Sequence, residues 1–379
     1  MVPFEFNSRT RVIFGPGCVD RVGAAARELG FQRALLVADA GLVSVGHVAT
    51  VRRSLEAASV SVFPFHDFGE NPNSRMIDAG RAFAAPHAID GIVALGGGSS
   101  LDAGKGINFL LTNGGAISDY RGYGKASRPL LPMIGIPTTA GTGSEAQSYT
   151  VISDAITHMK MACGDPSAAV RIAILDPELT RTGPQHVTAM AGFDAIAHAV
   201  ETAVTSRRTP MSEMYSHQAW RLLVEAFPRV LAHPSDMEAR SAMQLGSHLA
   251  GAAIEQSMLG AAHACANPLT ARYDITHGLA LAMLLPHVVR WNGAVAMDQY
   301  AALVRLTGRA ANGNAAEDLA RELESLAGNA GIGKRLKDGG VEEKALPELA
   351  AQAAQQWTGT FNPRPFDAAG ALEIYEAAF

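Results

Sequence analysis

Cysteine is scarce in this chain of 379 residues, which has only three, Cys18, Cys163 and Cys265. Their number is odd and no two are spaced as C-x-x-C, which argues against a disulfide framework or a thiolate zinc site. Any metal must therefore be held by histidine, aspartate or glutamate. The amino terminus lacks the apolar core and small-residue cleavage site of an export signal, so a cytoplasmic protein is expected.

Charge and long apolar stretches are also limited. Charged residues make up only 18% of the chain, so much of it must be buried in cores or subunit contacts. The net charge is −5, and no run of like charges offers a surface for a phosphate backbone, which argues against nucleic acid as a partner. The longest uncharged stretches, residues 129–144 and 256–271, contain Pro and Gly and are shorter than the roughly 20 apolar residues of a membrane span. No membrane span is therefore expected.

The chain divides into two parts of different pattern. Runs typical of buried strands alternate with helical patterns up to about residue 180, at residues 11–14, 34–38, 60–65, 91–96, 131–136 and 171–176. This part is predicted to be an α/β domain, Rossmann-like, with a doubly wound parallel sheet. After residue 182 the spacing is helical and is broken by Gly and Pro, which predicts an all-α carboxyl-terminal domain over residues 183–379.

A glycine-rich segment, GGGSSLDAGK (residues 96–105), follows the fourth strand run and opens a helical pattern. Consecutive glycines let the backbone approach a ligand, and the N–H groups of a helix start bind phosphate oxygens. The helix is predicted to begin near Ser99, with Ser99 as its cap. A diphosphate is the natural ligand, and an ordinary strand-to-helix turn is the alternative. The segment is not a P-loop, because Gly106 follows Lys105 where Ser or Thr is required.

Two further features of this half point to a nucleotide. PTTAGTGSE (residues 137–145) follows the fifth strand run and is rich in hydroxyl groups. Ligands of open α/β sheets bind beyond the carboxyl ends of the strands, so both loops can face one crevice. Asp39 ends the second run, where a carboxylate can bind ribose hydroxyls and would repel a 2′-phosphate. A helix-capping or turn aspartate is the alternative for Asp39.

The helical half contains a possible metal-binding set. In GFDAIAHAVET, Asp194 and His198 stand four apart, which places them on one helix face. HACANPLTARYDITHG supplies His263 and His277. One carboxylate oxygen and three imidazole nitrogens suit a divalent ion such as Fe²⁺, Zn²⁺ or Co²⁺, with room left for a substrate. A structural role for each histidine is the alternative.

These segments, together with FEFNSRTRVIFGPG at the start and FNPRPF near the end, resemble the signature segments of the iron-containing (group III) alcohol dehydrogenases. The resemblance covers nearly the whole chain. It implies an NAD-binding α/β domain over residues 1–182 and a helical metal-binding and catalytic domain over residues 183–379, an architecture similar to that of dehydroquinate synthase. It also implies NAD(P), a divalent metal that is usually Fe²⁺ and sometimes Zn²⁺, and a homodimer or higher homo-oligomer.

The family's functional residues carry over position by position. The resemblance assigns the metal, and catalysis through it, to Asp194, His198, His263 and His277. It assigns the cofactor to ten residues, among which Asp39 selects NAD over NADP: Asp39, Gly96, Gly97, Gly98, Ser99, Asp102, Thr138, Thr139, Thr142 and Lys160. The chain departs from many members at Asn267, where they carry a second histidine near the substrate. Asn267 is therefore predicted as a substrate contact that cannot relay a proton as that histidine would.

The predicted function is metal-dependent hydride transfer between NAD(H) and a small alcohol and its aldehyde or ketone, with the metal as Lewis acid. A maleylacetate-reductase-like NAD(P)H reductase without metal is one alternative, and retention of four ligand positions argues against it. A dehydroquinate-synthase-like lyase is another alternative. It would need several Lys and Arg side chains around a sugar phosphate, whereas Arg272 is the one Lys or Arg within residues 241–289. A nucleotide-binding scaffold without turnover is the non-enzymatic alternative. The pattern does not name the substrate.

Overall fold

The computed structural model describes residues 3–157, 159–311 and 313–379. Within these residues the chain forms two units. The first, Asn7–Gly183, is α/β, and the second consists of Pro184–Phe379 together with residues 3–6. The predicted α/β domain began at residue 1, so the grouping of residues 3–6 with the helices differs from that expectation. This segment packs through Phe6, whose ring centroid lies 6.2 Å from that of Tyr215.

The strands of the α/β unit form two sheets. The bounds of the strands are β1 Arg11–Phe14, β2 Arg33–Val37, β3 Ser61–Phe65, β4 Gly91–Gly96, β5 Gly122–Tyr123, β6 Met133–Pro137, β7 Tyr149–Ser153, β8 Lys160–Gly164 and β9 Ile172–Leu175. A six-stranded parallel sheet has the order β1-β9-β6-β4-β2-β3, and its strands coincide with the six predicted runs. A three-stranded sheet, β5-β8-β7, was not predicted. Its strands are short or carry exposed and polar positions, so no continuous apolar run marked them.

Helices cover both faces of the six-stranded sheet. They are α1 Val22–Glu28, α2 Ala40–Ser44, α3 His47–Ala57, α4 Ser74–Ala84 and α5 Gly98–Asn113. Successive residues of β2 point to opposite faces: Leu36 joins a core with α1 and α3, whereas Leu35 joins a core with α4 and α5. Both faces are buried at β2, β4, β6 and β9, which is why these strands read as continuous apolar runs. The doubly wound prediction is confirmed.

The strand order identifies the carboxyl ends of β2 and β4 as a candidate ligand-binding region. Strand β2 lies between β3, which follows it in the chain, and β4, which comes later. The connections therefore leave β2 and β4 in opposite directions, a topological switch point of the flavodoxin type. Open α/β sheets bind ligands beyond the carboxyl ends of the strands at such a point. The residues that follow β2 and β4 are therefore candidates for cofactor binding.

The second unit contains only helices among its described residues. They are α6 Gln185–Thr202, α7 Pro210–Ala232, α8 Met237–Ser257, α9 Ala261–Tyr273, α10 His277–Leu306, α11 Ala315–Asn329, α12 Leu346–Ala353 and α13 Ala368–Ala378. Helix α10 is long and apolar enough to cross a membrane by length and composition alone, with a mean hydropathy of 1.3. However, 67% of that apolar window is buried within the protein, as in the core helix of a folded unit.

Candidate metal and cofactor sites

The four predicted metal ligands come from three helices. Asp194 and His198 lie one turn apart in α6, and every residue of that helix from 192 to 202 is buried. His263 lies in the first turn of α9, and His277 is the first residue of α10. The site thus combines two residues from within α6 with one residue from the start of α9 and one from the start of α10.

The three imidazole side chains converge on one carboxylate oxygen, Oδ1 of Asp194. The Nε2 atoms of His198, His263 and His277 lie 3.3, 3.7 and 3.8 Å from it, respectively. The ligand atoms of Asp194, His263 and His277 all lie within 4.8 Å of one another. Asp194, His198 and His263 are buried, whereas the His277 side chain is 28% exposed, so solvent reaches the cluster beside His277.

Two of the converging atoms have no hydrogen-bond partner among the described residues. Oδ1 of Asp194 and Nε2 of His263 are fully buried and form no hydrogen bond within that part of the chain. Leaving a buried polar atom unsatisfied costs about 1–3 kcal/mol, and more for a charged group. One carboxylate and several imidazoles form a donor set that borderline divalent ions prefer. The residues present therefore fit a metal ion.

The charges around the cluster favour an ionised Asp194. Burial raises the pKa of this carboxyl, but the imidazoles of His198, His263 and His277 outweigh burial and hold it well below its usual range. Burial likewise disfavours the charged form of His263, yet Glu201 and Asp194 raise its pKa to about 9. An anionic oxygen is thus available at the point where the imidazoles meet.

A glycine beside His277 allows two of the three helices to approach closely. A Cβ atom on Gly278 would lie 2.1 Å from the main-chain oxygen of Met190 in α6. Side-chain carbons do not approach an oxygen so closely, so this contact requires glycine. The start of α10 can therefore lie against α6, which brings His277 to Asp194.

The predicted glycine loop lies at the carboxyl end of β4, but the helix after it starts earlier than predicted. Helix α5 begins at Gly98 and its N-cap is Gly97, so the prediction that Ser99 caps the helix is wrong. The glycines permit the turn one residue sooner, and Ser99 falls within the first turn. Its Oγ accepts a hydrogen bond from the main-chain N–H of Asn71 at 3.2 Å. No side chain of the described residues caps α5, which leaves its first turn suited to an anion.

The glycine loop and the threonine loop are in direct contact. Gly96 pairs with Pro137 in the ladder between β4 and β6, and the N–H of Thr138 donates to the Gly96 carbonyl at 3.0 Å. A Cβ atom on Gly98 would lie 2.6 Å from Cγ2 of Thr142. The structure thereby brings together six of the predicted cofactor residues: Gly96, Gly97, Gly98, Thr138, Thr139 and Thr142.

Asp39 lies beside this loop at the end of β2. Its Oδ1 accepts a hydrogen bond from the N–H of Leu42 at 3.2 Å and caps α2. Its Oδ2 accepts one from Oγ of Ser100 in α5 at 3.4 Å. One oxygen of Asp39 thus acts as a helix cap, as the alternative interpretation expected. The residue nevertheless stands at the switch point of the sheet, beside the helix that begins at the glycine loop.

The two remaining cofactor predictions fall on residues near the threonine loop. Asp102 accepts hydrogen bonds from Oγ of Ser144 at 2.8 Å and from the N–H of Val151 at 3.2 Å. Burial raises the pKa of Asp102, while the ammonium groups of Lys105 and Lys160 oppose that shift. Asp102 thus anchors the threonine loop to α5. Its contact with a cofactor, and that of Lys160, stay predictions.

Lys105 is a buried residue whose role the sequence did not reveal. It is completely buried in α5, and its Nζ donates to the carbonyls of Ser144, Gln147 and Tyr149 at 2.6, 2.7 and 2.8 Å. These bonds fasten the chain after the threonine loop to the helix that begins at the glycine loop. The signal available in the sequence was a lone cation in an apolar helical pattern.

Asn267 lies on α9 one turn after His263, so the two side chains share a face of the helix. It is half-buried, and its Nδ2 donates to Oε1 of Gln356 at 3.1 Å. The position that is histidine in many members of the resembled family is thus part of a neutral amide pair. Substrate contact by Asn267 stays a prediction.

Comparisons with known protein families cover both units. Residues 9–177 match the family model described as iron-containing alcohol dehydrogenase, and residues 188–379 match that of the carboxyl-terminal domain of the Fe-containing alcohol dehydrogenase family. The NAD-dependent methanol dehydrogenase of Bacillus methanolicus is 33% identical over 93% of each chain. The 1,3-propanediol dehydrogenase of Citrobacter freundii is 33% identical over 97% of this chain and 96% of its own. The lactaldehyde reductase of Escherichia coli is 30% identical over 97% of both.

Solved structures agree with these matches. A 1,3-propanediol oxidoreductase superposes with a TM-score of 0.97 at 33% identity, over the full length of both chains. The sulfoacetaldehyde reductase of Bifidobacterium kashiwanohense, solved in complex with NAD⁺, superposes with a TM-score of 0.90 at 25% identity and covers all of this chain and 99% of that one. The similarity therefore extends over both units.

Proposed function

Because the chain belongs to the iron-containing alcohol dehydrogenase family, we propose that it is an NAD-dependent, metal-dependent enzyme that interconverts a small alcohol and its aldehyde or ketone. The observation that carries this proposal is the convergence of three imidazole Nε2 atoms on a buried Asp194 oxygen. A divalent ion held by Asp194 and the three histidines would supply Lewis acidity toward the substrate oxygen. Fe²⁺ is the ion we propose and Zn²⁺ the alternative, since imidazole and carboxylate ligands suit both.

NAD is the proposed redox partner, whose nicotinamide would accept the hydride. The uncapped first turn of α5, with Gly97 as its N-cap, would hold the diphosphate through main-chain N–H groups. Asp39 would accept hydrogen bonds from the adenosine ribose and would repel the 2′-phosphate of NADP. The relatives named as NAD-dependent or solved with NAD⁺ support this assignment.

Bound NAD⁺ would accept a hydride from the alcohol carbon, and release of the hydroxyl proton would leave the carbonyl compound, NADH and one H⁺ with no covalent bond to the protein. The amide of Asn267 donates and accepts hydrogen bonds but does not titrate near neutral pH. It would therefore hold a substrate hydroxyl, while the proton leaves through water or the ribose hydroxyls of the cofactor.

The proposed substrates are alcohols of about one to three carbons, since relatives are named for methanol, 1,3-propanediol and lactaldehyde. The test is NADH oxidation against a panel of small aldehydes, ketones and 2-oxo acids, with protein loaded anaerobically with Fe²⁺. Turnover of short aldehydes that disappears on chelation and returns with metal is the expected result. Equal turnover by metal-free protein would favour the maleylacetate-reductase-like alternative, and no turnover with any compound would favour a scaffold.

We also propose a cytoplasmic homodimer. The three cysteines are free, as suits a reducing compartment. Strand β1 forms one edge of the six-stranded sheet, and its Val12 and Phe14 side chains are exposed. An unpaired edge of this kind is a template for pairing with a second copy of the chain. Sedimentation velocity at micromolar concentration should give a dimer, and a monomer would contradict this assignment.

A further inference from the structure

Glu201 lies beside the metal cluster, outside the set of predicted ligands. It follows His198 by three residues in α6 and is only 3% exposed. Both of its carboxylate oxygens accept hydrogen bonds. Oε1 accepts the main-chain N–H of Ala262 at 2.7 Å, and Oε2 pairs with Nδ1 of His263. A buried carboxylate thus touches the ring of one predicted ligand on the side away from Asp194.

The partner of Nδ1 determines which ring nitrogen of His263 can bind a metal. A carboxylate only accepts hydrogen bonds, so Nδ1 of His263 must carry a hydrogen and donate it in a hydrogen bond to Glu201. The lone pair of the neutral ring then lies on Nε2, the atom 3.7 Å from Oδ1 of Asp194. We propose that Glu201 is a positioning residue, which keeps His263 in the tautomer and orientation that metal binding requires. This inference rests on the metal site of the proposed function.

The same carboxylate also helps to cap α9, which defines the rival explanation. The N–H of Ala261 donates to Oδ1 of Asn362 at 3.2 Å, next to the bond from Ala262 to Glu201. A Cβ atom on Gly260 would lie 3.0 Å from both acceptor oxygens, so glycine leaves room for two side chains at this helix start. If capping were the whole role of Glu201, loss of either acceptor would disturb the site equally. Of these two acceptors, Glu201 is the one that contacts the His263 ring.

Glu201→Gln is the sharpest substitution because it preserves size and burial. An amide offers one acceptor oxygen where the carboxylate offers two, so it cannot serve both Ala262 and His263. Its NH₂ group facing the ring would move the His263 proton to Nε2, the atom turned toward Asp194. Changes of this kind outside the ligand set lower metal affinity about 10–100-fold. Glu201→Asp keeps the charge and both acceptors on a shorter side chain, so it should recover part of the loss.

The experiment titrates metal-free full-length protein with Co²⁺ against a competing chelator and records the visible spectrum of the bound ion. Asn362→Ala is the matched control, since it removes a cap of α9 without touching His263. We expect Co²⁺ affinity to fall at least about tenfold in Glu201→Gln with a changed spectrum, to recover partly in Glu201→Asp, and to stay within about threefold of wild type in Asn362→Ala. Thermal unfolding of each variant shows that it is folded.

Two results would overturn the inference while leaving the metal site in place. One is wild-type Co²⁺ affinity and spectrum in Glu201→Gln. The other is an equal loss of affinity in Asn362→Ala, which would mean that Glu201 acts only as a helix cap. Failure of the wild type itself to bind Co²⁺ would refute the metal site of the proposed function and the role of Glu201 with it.

Discussion

The two candidate sites are built from different parts of the polypeptide. In the α/β unit, the proposed cofactor loops lie within residues 96–98 and 138–142 and depend on glycine main chain at a helix start that no side chain of the described residues caps. In the helical unit, the proposed metal site depends on four side chains from three helices, α6, α9 and α10. The first should therefore fail when an atom is added, and the second when a ligand atom is removed. Because the sites lie in separate units, each change should leave the other ligand's binding intact.

Asp194→Ala should have the largest effect. It removes the only anionic ligand, so bound metal should be lost and alcohol oxidation should fall about 1,000-fold or more, since metal catalysis contributes several kcal/mol. NADH binding through the glycine loop should persist. Elemental analysis beside NADH fluorescence measures both, with the exposed Asp298→Ala as control. Full activity of the metal-free variant would contradict the proposed catalytic role of the metal.

Gly98→Ala makes the converse change in the α/β unit. The added Cβ would lie 2.6 Å from Cγ2 of Thr142, so the Thr142 side chain or the loop that carries it must shift. We expect NADH affinity to fall about tenfold, a cost of about 1.4 kcal/mol, with metal content unchanged. Thr142→Ser removes the clashing methyl group and should restore part of the affinity.

Isothermal titration with NADH measures these affinities. Gly328→Ala is the control, because a Cβ there meets nothing within 4 Å. Unaltered affinity in Gly98→Ala would show that the close contact of the loops is not needed for the cofactor.

Cofactor choice sharpens the comparison within the α/β unit. The wild type should prefer NAD over NADP at least tenfold in kcat/KM, about 1.4 kcal/mol. Asp39→Gly should narrow that gap, and glycine at a cap costs only a few tenths of a kcal/mol in stability. Asp39→Asn keeps a capping oxygen without the charge and should narrow the gap as well, which separates repulsion from capping. Steady-state kinetics with both cofactors decide the question, and an unchanged ratio would leave Asp39 as a cap only.

Asn267→His should give the smallest effect. Histidine titrates near pH 6.5, so the variant should acquire a pH dependence of alcohol oxidation that the wild-type amide cannot supply. Metal content must be measured in the same preparation, because an added imidazole near His263 can also bind metal. A profile identical to that of the wild type, at normal metal content, would show that this position lies off the proton path.

Much of the fold was predictable because its signals are local. The six strands of the main sheet are apolar runs, and burial on both faces explains this for the inner strands β2, β4, β6 and β9. The small sheet was not predicted because β5 has two residues and β7 and β8 have five each with polar residues among them, so no continuous apolar run marks them. The start of α5 was missed by one residue, since any of three consecutive glycines could form the turn.

The sequence by itself determined which residues offer metal-binding atoms and which loops offer uncovered main chain, because residue type and spacing within one or two turns decide both. Only the tertiary structure decided which distant groups meet. Glu201 reaches His263 across 62 positions, and Gly278 admits the main chain of Met190. Lys105 similarly fastens Tyr149, 44 positions away. Such pairs leave no periodic pattern, because they depend on how whole helices pack and on where a missing Cβ permits close approach.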